Sequence, residues 1–310
     1  MKIFNNIATF KSTKRTFVTI GTFDGVHLGH QKVIRDVVES AKNNNAESVL
    51  LTFFPHPRMV LQKDADIKLI NTIDERIALL EKIGLDNLII YEFSTEFANL
   101  TAFDFVKTIL VDKLHISKLI IGYDHHFGKD REGNFEKLQE FGETFDFKLK
   151  EISKHDISDF AVSSTKIRKT IEKGEIDKAN NYLGYPFMLS GEVVTGKNLG
   201  EKIGFPTANI AIKEAYKLLP KTGAYVVKST IDNNTVYGMM NIGFRPTVSG
   251  KNQTIEVHFF NFNQNLYGKY LQIDVLYFLR DEIKFISIDA LKTQLSADSE
   301  NSLKLIEGLL

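Results

Sequence analysis

The first half of the chain alternates short apolar runs with amphipathic helical stretches, and this alternation constrains the fold most. Runs rich in β-branched and aromatic residues recur as RTFVTI, SVLLTFF, NLIIYEF, SKLIIGY and FKLKEIS. Between them, HQKVIRDVVESAK and TIDERIALLEKIG place apolar residues at helical spacing, and the second opens with the capping box Thr72-x-x-Glu75. Strands that alternate with helices predict a parallel sheet, whose ligands bind beyond the carboxyl ends of the strands.

The pattern changes near residue 185. FMLSGEVV, GAYVVKSTI, TVYGMMNIG, TIEVHFFNF and YLQIDVLYFL are strand patterns separated by turns, and a helical pattern ends the chain. This half predicts a small antiparallel barrel with a covering helix. The polar, helix-prone segment STKIRKTIEKGEIDKANNYLG joins the halves. We therefore predict two domains, 1–184 with the junction helices and 185–310, as expected for 310 residues.

Composition excludes several classes of protein. Lys plus Arg equals Asp plus Glu at 39 each, so no overall charge favours nucleic acid or an anionic membrane as a partner. The chain has no cysteine, which excludes disulfides and thiolate metal sites. The first residues lack the apolar region of a signal peptide, and no apolar run approaches the roughly 20 residues of a membrane helix. We expect a cytoplasmic protein.

The segment GTFDGVHLGH lies between a predicted strand and a predicted helix that begins near His30. The free N–H groups and positive dipole end of that helix point toward the loop, a favourable place for phosphate. Gly21 and Gly25 allow close approach of a ligand to the backbone, and His27 and His30 can donate hydrogen bonds to phosphate oxygens. The alternative is a glycine-rich turn with two surface histidines.

A second segment, SSTKIRKTI, sets hydroxyl groups beside Arg168 at the start of a helical pattern. Hydroxyls, helix N–H groups and a guanidinium suit the oxygens of a di- or triphosphate. Taken alone, the segment is more typical of an ordinary N-capped basic helix.

The two segments together resemble the HIGH-motif nucleotidyltransferase superfamily, in which the histidines form the H-x-G-H pair. With LTFFPHP and GYDHHFGKDREG, the first half resembles the FMN adenylyltransferase module of bacterial bifunctional riboflavin kinase/FAD synthetases, and GFPTANI resembles the signature of their kinase module. The resemblance covers nearly the whole chain. It implies an α/β Rossmann-like domain followed by an antiparallel six-stranded Greek-key β-barrel with a C-terminal helix.

The resemblance implies sites in the adenylyltransferase half. The residues expected to bind the nucleotide, with His27 and His30 also catalytic, are Gly21, Phe23, Asp24, Gly25, His27, His30, Ser164, Thr165 and Arg168. The residues expected to contact the flavin are Phe54, Pro55, His56, Pro57, Asp124, Phe127 and Gly128.

Two competing motifs are rejected. Asp124, His125 and His126 could suggest a zinc site, but adjacent residues on an extended chain point to opposite sides and rarely ligate one ion. GEVVTGKN nearly matches a phosphate-binding P-loop. It lacks the required hydroxyl at Asn198, contains a strand pattern and precedes no helix.

The kinase signature GKNLGEKIGFPTANI is glycine-rich, and could otherwise be a loop before a strand. In the family its glycines, here Gly196 and Gly204, cover ATP, and its Thr and Asn, here Thr207 and Asn209, bind Mg²⁺ and phosphate. Both side chains offer oxygen donors that suit this cation. Glu201 stands where family members commonly have Arg, and a carboxylate near a triphosphate should weaken ATP binding.

Alternation in TIEVHFFNF places Glu256, His258 and Phe260 on one strand face. A carboxylate on such a face is usually solvated or paired. The resemblance gives Glu256 the role of base for the ribityl 5′-hydroxyl and makes Arg280 a flavin or phosphate neighbour.

The resemblance thus implies an enzyme that phosphorylates riboflavin with Mg-ATP to FMN, then transfers AMP from a second ATP to FMN, giving FAD and pyrophosphate. Two alternatives stay open. One is another HIGH-motif transferase with an inactive barrel, and the other is a non-enzymatic flavin-binding or regulatory protein.

Overall fold

A computed structural model of the protein describes residues 1–62, 66–122, 126–153, 162–196, 199–247 and 250–309, except for the side chains of 131, 199, 245–247 and 250–252. The chain divides into two compact units. The first unit is Met1–Ser164 and the second unit is Thr165–Leu310.

The first unit alternates strands with helices as the sequence predicted. In chain order its elements are β1 (Lys2–Phe4), β2 (Thr16–Ile20), α1 (Leu28–Asn43), β3 (Glu47–Phe53), α2 (Pro57–Leu61), α3 (Ile73–Ile83), β4 (Asn87–Tyr91), α4 (Thr95–Ala98), α5 (Ala102–Asp104), β5 (Ile116–Gly122), α6 (Phe135–Phe145) and β6 (Lys148–Ile152). α5 continues into a π-helical segment, Phe105–Val111.

The six strands form one parallel sheet in the order β1-β4-β3-β2-β5-β6. From the central β2 the chain builds β3 and β4 on one side, then returns to add β5 and β6 on the other. The order therefore reverses between β2 and β5. In open parallel sheets a crevice for ligands lies outside the carboxyl ends of the strands at this point.

Apolar residues on both faces of β2 hold it in the core, and all five of its residues are buried. Phe17 packs with Val33, Val37 and Ala41 on one face of α1. Val18 belongs to the larger core cluster on the opposite side of the strand. Burial of each large apolar side chain stabilises the fold by about 1.5–3 kcal/mol. The packed strand β2 therefore holds the start of the following loop in a fixed position.

The second unit begins with two helices and continues as strands. Its elements are α7 (Ser164–Glu172), α8 (Ile176–Leu183), β7 (Phe187–Val194), α9 (Leu199–Lys202), β8 (Ala208–Ala211), β9 (Gly223–Ile231), β10 (Asn234–Thr247), β11 (Gly250–Phe259), β12 (Tyr270–Asp281) and α10 (Ile288–Glu307).

The strands close into an antiparallel barrel in the order β10-β11-β8-β7-β12-β9. The predicted six-stranded barrel and its C-terminal helix are confirmed. A turn at Asp232 and Asn233 joins β9 to β10, and both residues have positive φ angles, 48° and 64°. Asp and Asn tolerate this conformation better than other non-glycine residues, as a tight hairpin requires.

The junction helices contact the barrel. Asn180 of α8 donates its side-chain N–H to the Val275 carbonyl of β12 at 2.9 Å and accepts from the Phe187 N–H of β7 at 2.7 Å. Contacts therefore place α8 in the second unit, whereas the domain boundary after residue 184 remains a prediction from the sequence.

We expect a fragment of residues 165–310 to be more stable than one of residues 185–310. The shorter fragment loses both Asn180 hydrogen bonds and the buried side chains of Ile176 and Leu183. Together these contacts are worth roughly 4–9 kcal/mol. Urea unfolding followed by circular dichroism measures the difference, and equal midpoints would show that α8 does not stabilise the barrel.

Candidate active sites

The H-x-G-H pair lies where the loop after β2 meets α1, with His27 at the end of the loop and His30 in the first turn of the helix. His27 is the N-cap of α1, because its ring Nδ1 accepts a hydrogen bond from the backbone N–H of His30 at 3.4 Å. The helix therefore begins at Leu28, slightly before the start near His30 that the sequence suggested. Since Nδ1 accepts, the neutral His27 ring carries its proton on Nε2, which makes Nε2–H the donor that the ring can offer to an anion.

His30 is held between two aromatic neighbours. Its ring stacks on His27 with centroids 3.6 Å apart, and the Phe23 ring meets it edge-on at 5.1 Å. Its Nδ1 is buried and has no hydrogen-bond partner among the described residues. The pKa of His30 lies well below its usual 6.5. The largest cause is burial of the ring, followed by the charges of the His27 ring and of the Arg76 guanidinium. His30 is therefore neutral at physiological pH.

The acid sensitivity of the first unit should depend on His30. Its pKa is lower in the folded state, so the unfolded chain takes up this proton first as the pH falls. The free energy of unfolding then falls below about pH 6.5 until the pH passes the folded-state pKa. His30→Gln should reduce this slope by up to about 1.4 kcal/mol per pH unit. Urea unfolding between about pH 7 and pH 5 measures it, and identical slopes would contradict the assignment.

Asp24 and Gly25 fix the shape of the same loop. The Asp24 carboxylate is buried and accepts backbone N–H groups from Ile70 at 2.9 Å and Asn71 at 3.4 Å. Gly25 has a φ of 86°, and a Cβ there would lie 2.8 Å from the Ile70 side chain. The Ser164 hydroxyl donates to the Asp24 carbonyl at 2.8 Å. Asp24, Gly25 and Ser164 thus come together, while nucleotide binding by them remains a prediction.

Arg76 is a candidate residue that the sequence analysis did not single out. It lies on α3 with 1% of its surface exposed, and its Nη1 donates to the Thr52 hydroxyl at 3.3 Å. That hydroxyl donates at 3.2 Å to the carbonyl of Thr22, which lies in the loop between β2 and α1. The signal in the sequence was an arginine three and four residues before Leu79 and Leu80 on the apolar face of a helix.

The other predicted nucleotide-binding residues are divided between the two units. Gly21 and Phe23 are in contact, since a Cβ on Gly21 would lie 3.2 Å from the Phe23 ring. Thr165 is exposed and Arg168 half-buried on α7, and both belong to the second unit.

The predicted flavin residues fall on two loops of the first unit. Phe54, Pro55, His56 and Pro57 follow β3, where the His56 ring caps α2 by accepting from the Arg58 N–H at 3.1 Å. Phe127 is buried and forms a backbone bridge with Gly133. The neighbouring Gly128 packs closely against Ala102. Asp124 lies outside the described residues, and flavin contact by this set remains a prediction.

The barrel brings several predicted kinase residues into one row across its strands. Asn209 of β8 pairs with Glu256 of β11, which pairs with Asn241 of β10. The row continues through Ala224 of β9 to Arg280 of β12. Residues directly opposite on antiparallel strands share a face.

This row lies on the outer face of the barrel. Ile255 and Val257, the chain neighbours of Glu256, are 4% and 0% exposed and point inward. Alternation therefore turns the half-buried Glu256 outward, a direction that the sequence analysis had left open. Asn241 was missed, and its cross-strand position opposite Glu256 becomes visible only once the strand register is known.

The signature segment leads into this row. The backbone at Gly196 lies close to the side-chain amide of Asn209, which a Cβ at this position would displace. Thr207 is half-buried just before β8, and Gly204 has a φ of 86° in the preceding turn. Glu201 is exposed on the single-turn helix α9.

Arg280 is engaged by the C-terminal helix. Its Nε and Nη2 donate to the Asp298 carboxylate of α10 at 2.9 and 2.6 Å, and its Nη1 donates to the Asp281 carbonyl at 2.9 Å. Asp298 is buried, and a charge-assisted pair of this kind ties α10 to the barrel. Contact of Arg280 with a ligand remains a prediction.

The donor set of the barrel fits a cation that binds together with a nucleotide. Among the described residues, no group of three or more His, Cys, Asp or Glu side chains could hold a metal ion. Thr207 and Asn209 offer one oxygen donor each. Mg²⁺ characteristically takes few protein ligands and completes its shell with phosphates and waters.

Comparisons with known proteins identify both halves. A family model described as FAD synthetase matches residues 9–166, and one described as riboflavin kinase matches residues 183–306. A bifunctional riboflavin kinase/FMN adenylyltransferase from Buchnera aphidicola subsp. Schizaphis graminum is 39% identical over 97% of each chain. The protein of the same description from Haemophilus influenzae is 38% identical over 92% of each chain.

A solved structure shares the architecture. It is described as a macrolide-efflux protein from Streptococcus pneumoniae, and it is 31% identical with a TM-score of 0.86 over 97% of both chains. In the described part of the present chain, no helix has the length and apolar character of a membrane span. Because enzyme families match both halves and the relatives match nearly the whole length, this chain belongs to the bifunctional riboflavin kinase/FMN adenylyltransferases, enzymes of FMN and FAD biosynthesis.

Proposed function

We propose that the barrel unit phosphorylates riboflavin to FMN and that the first unit converts FMN to FAD, each with its own catalytic residues. One observation carries this proposal: the stacked histidine pair and the outward carboxylate Glu256 lie in two separate compact units. Each unit thus offers the groups that one of the two steps requires.

In the adenylyl transfer, an oxygen of the FMN phosphate attacks the α-phosphorus of ATP, and pyrophosphate leaves. The first N–H groups of α1 and the Nε2–H of His27 donate to the phosphate oxygens as their charge shifts. His30, kept neutral by its surroundings, donates one further hydrogen bond and adds no positive charge. Positioning and charge stabilisation carry the step without a covalent enzyme intermediate.

In the phosphorylation, Glu256 orients the ribityl 5′-hydroxyl and accepts its proton as the oxygen attacks the γ-phosphorus of ATP, with ADP leaving. Thr207 and Asn209 would hold Mg²⁺ against the phosphates, where the cation supplies charge neutralisation. Asn209 is the cross-strand partner of Glu256, so this pairing fixes the distance between base and phosphate-binding group.

Flavin recognition is proposed for the loops around Phe54 to Pro57 and around Phe127 and Gly128 in the first unit, and for Arg280 in the second. Riboflavin, FMN, FAD and ATP are the ligands, with no nucleic-acid or membrane partner. We place the enzyme in the cytoplasm, where its ATP is available.

Glu201→Arg should lower the apparent KM for ATP in the phosphorylation step only. Replacing a carboxylate by the charge usual in the family adds attraction for a triphosphate near the signature loop. Because Glu201 is exposed, salt should screen the effect, and we expect a change of about threefold or less. Initial rates at varied ATP measure it. An unchanged KM would place Glu201 away from the nucleotide.

Chromatography of the products tests the proposal directly. Incubation with riboflavin, ATP and Mg²⁺ should yield FMN with ADP first, then FAD with pyrophosphate. Added FMN should yield FAD without any riboflavin. A protein that adenylylates another phosphorylated vitamin and leaves riboflavin unchanged would instead be a HIGH-motif transferase with an inactive barrel.

A further inference from the structure

His258 connects the strand of Glu256 to the signature segment. It lies two residues after Glu256 on β11, and its ring Nδ1 is 2.8 Å from the backbone carbonyl of Pro206. The ring packs edge-on against Phe205 at 5.3 Å and Phe260 at 5.8 Å. One of these aromatic contacts comes from the signature segment and the other from the residue that directly follows β11.

The hydrogen bond between His258 and Pro206 lies just beyond the point where the backbone pairing of β11 with β8 ends. β11 pairs with β8 at Glu256↔Asn209 and Val257↔Ala208, and within the described residues no further pair follows toward Pro206. Pro206 has no backbone N–H, so it cannot continue the ladder as a donor. Its carbonyl can only accept, so the His258 ring must hold a proton on Nδ1 to make this hydrogen bond.

We propose that His258 is a positioning residue for riboflavin phosphorylation, which holds the signature segment at Thr207 in register with Glu256 through its Nδ1–H bond to Pro206. The proposal rests on the proposed kinase activity of the barrel. Backbone pairing ties Asn209 to Glu256, and the His258 bond adds a second tie on the other side of Thr207. Without the His258 bond, Thr207 lies beyond the last backbone pair between β8 and β11.

The expected effect is on catalysis more than on binding of riboflavin. A displacement of about 1 Å between reacting groups can cost about 10²-fold in rate. Loss of the tie should therefore lower kcat for FMN formation by roughly 10- to 100-fold, with little change in the KM for riboflavin.

Three substitutions of His258 separate the hydrogen bond from ring packing. His258→Phe keeps an aromatic ring but has no donor, and should show the full loss. His258→Asn places an N–H near the position of Nδ1 and should recover most of the rate. His258→Gln places its N–H near the position of Nε2 and should resemble the Phe variant. FAD formation from added FMN should be unchanged in all three.

A second measurement does not depend on enzymatic activity. The ¹⁵N chemical shifts of the His258 ring in the intact protein, assigned by the signals lost in the Asn variant, report which nitrogen carries the proton. A protonated Nδ1 supports the proposal. An unprotonated Nδ1, wild-type phosphorylation by His258→Phe, or equal losses in the Phe and Asn variants would overturn it. Failure of the wild-type protein to make any FMN would overturn the kinase assignment instead.

Discussion

Glu256→Gln is expected to lower the rate of FMN formation from riboflavin by about 10²-fold or more, the scale of a general-base contribution. A primary hydroxyl is a poor nucleophile, and a nearby carboxylate orients it and takes its proton as the new bond forms. Gln keeps the shape and one oxygen but loses the charge and most of the basicity. Strands on both sides hold Glu256, so the substitution should leave its position unchanged.

The measurement is paired on one preparation: FMN formation from riboflavin, and FAD formation from added FMN. Glu192→Gln is the matched control, because Glu192 is also a barrel carboxylate and pairs with Lys213 at the surface at 3.2 Å. Surface pairs contribute little, so this variant should retain both steps. Normal phosphorylation by Glu256→Gln would remove Glu256 as the base, and a lowered thermal midpoint with loss of both steps would indicate misfolding.

His30→Ala should lower FAD formation by about 10²–10³-fold and leave FMN formation intact, so that FMN accumulates. The substitution removes one hydrogen-bond donor to the phosphate oxygens. It also removes the ring that stacks on His27. His30→Gln tests the donor alone, because it retains an N–H, and we expect it to lose less activity than the Ala variant.

His115→Asn is the control for the histidine experiment. His115 is exposed immediately before β5. It therefore lies at the amino ends of the parallel strands, whereas the loop between β2 and α1 lies at their carboxyl ends. Its φ of 50° suits Asn. Both steps should continue in this variant. Equal loss of both steps in His30→Ala would mean that His30 supports the fold of the whole chain more than the adenylyl transfer.

Much of the fold was predictable because local patterns and tertiary structure agree. Thr72 and Glu75 form both hydrogen bonds of the capping box at the start of α3, at 3.2 and 3.0 Å. By contrast, β1 was missed. It has three residues, and its strand conformation comes from pairing with the distant β4. The π-helical segment at Phe105–Val111 was also missed, since the sequence there has ordinary helical spacing.

The site was predictable where alternation decides which way a side chain points. The strand pattern separated Glu256 from its buried neighbours Ile255 and Val257, whereas its outward direction follows only from the closed barrel. Arg76 and Asn241 were missed because their relevance depends on neighbours that are distant in sequence, Thr52 and Glu256 respectively. The partner of Arg280 was equally hidden, because Asp298 reaches it from a separate helix.

Mixing two inactive variants tests the central claim, that one chain carries two independent catalytic sites, most directly. Supplied with riboflavin, ATP and Mg²⁺, Glu256→Gln should make almost no FMN, and His30→Ala should stop at FMN. A mixture of the two proteins should make FAD, because FMN released by the second variant is adenylylated by the first. Absence of FAD from the mixture, with both proteins folded by circular dichroism, would contradict the assignment of one step to each unit.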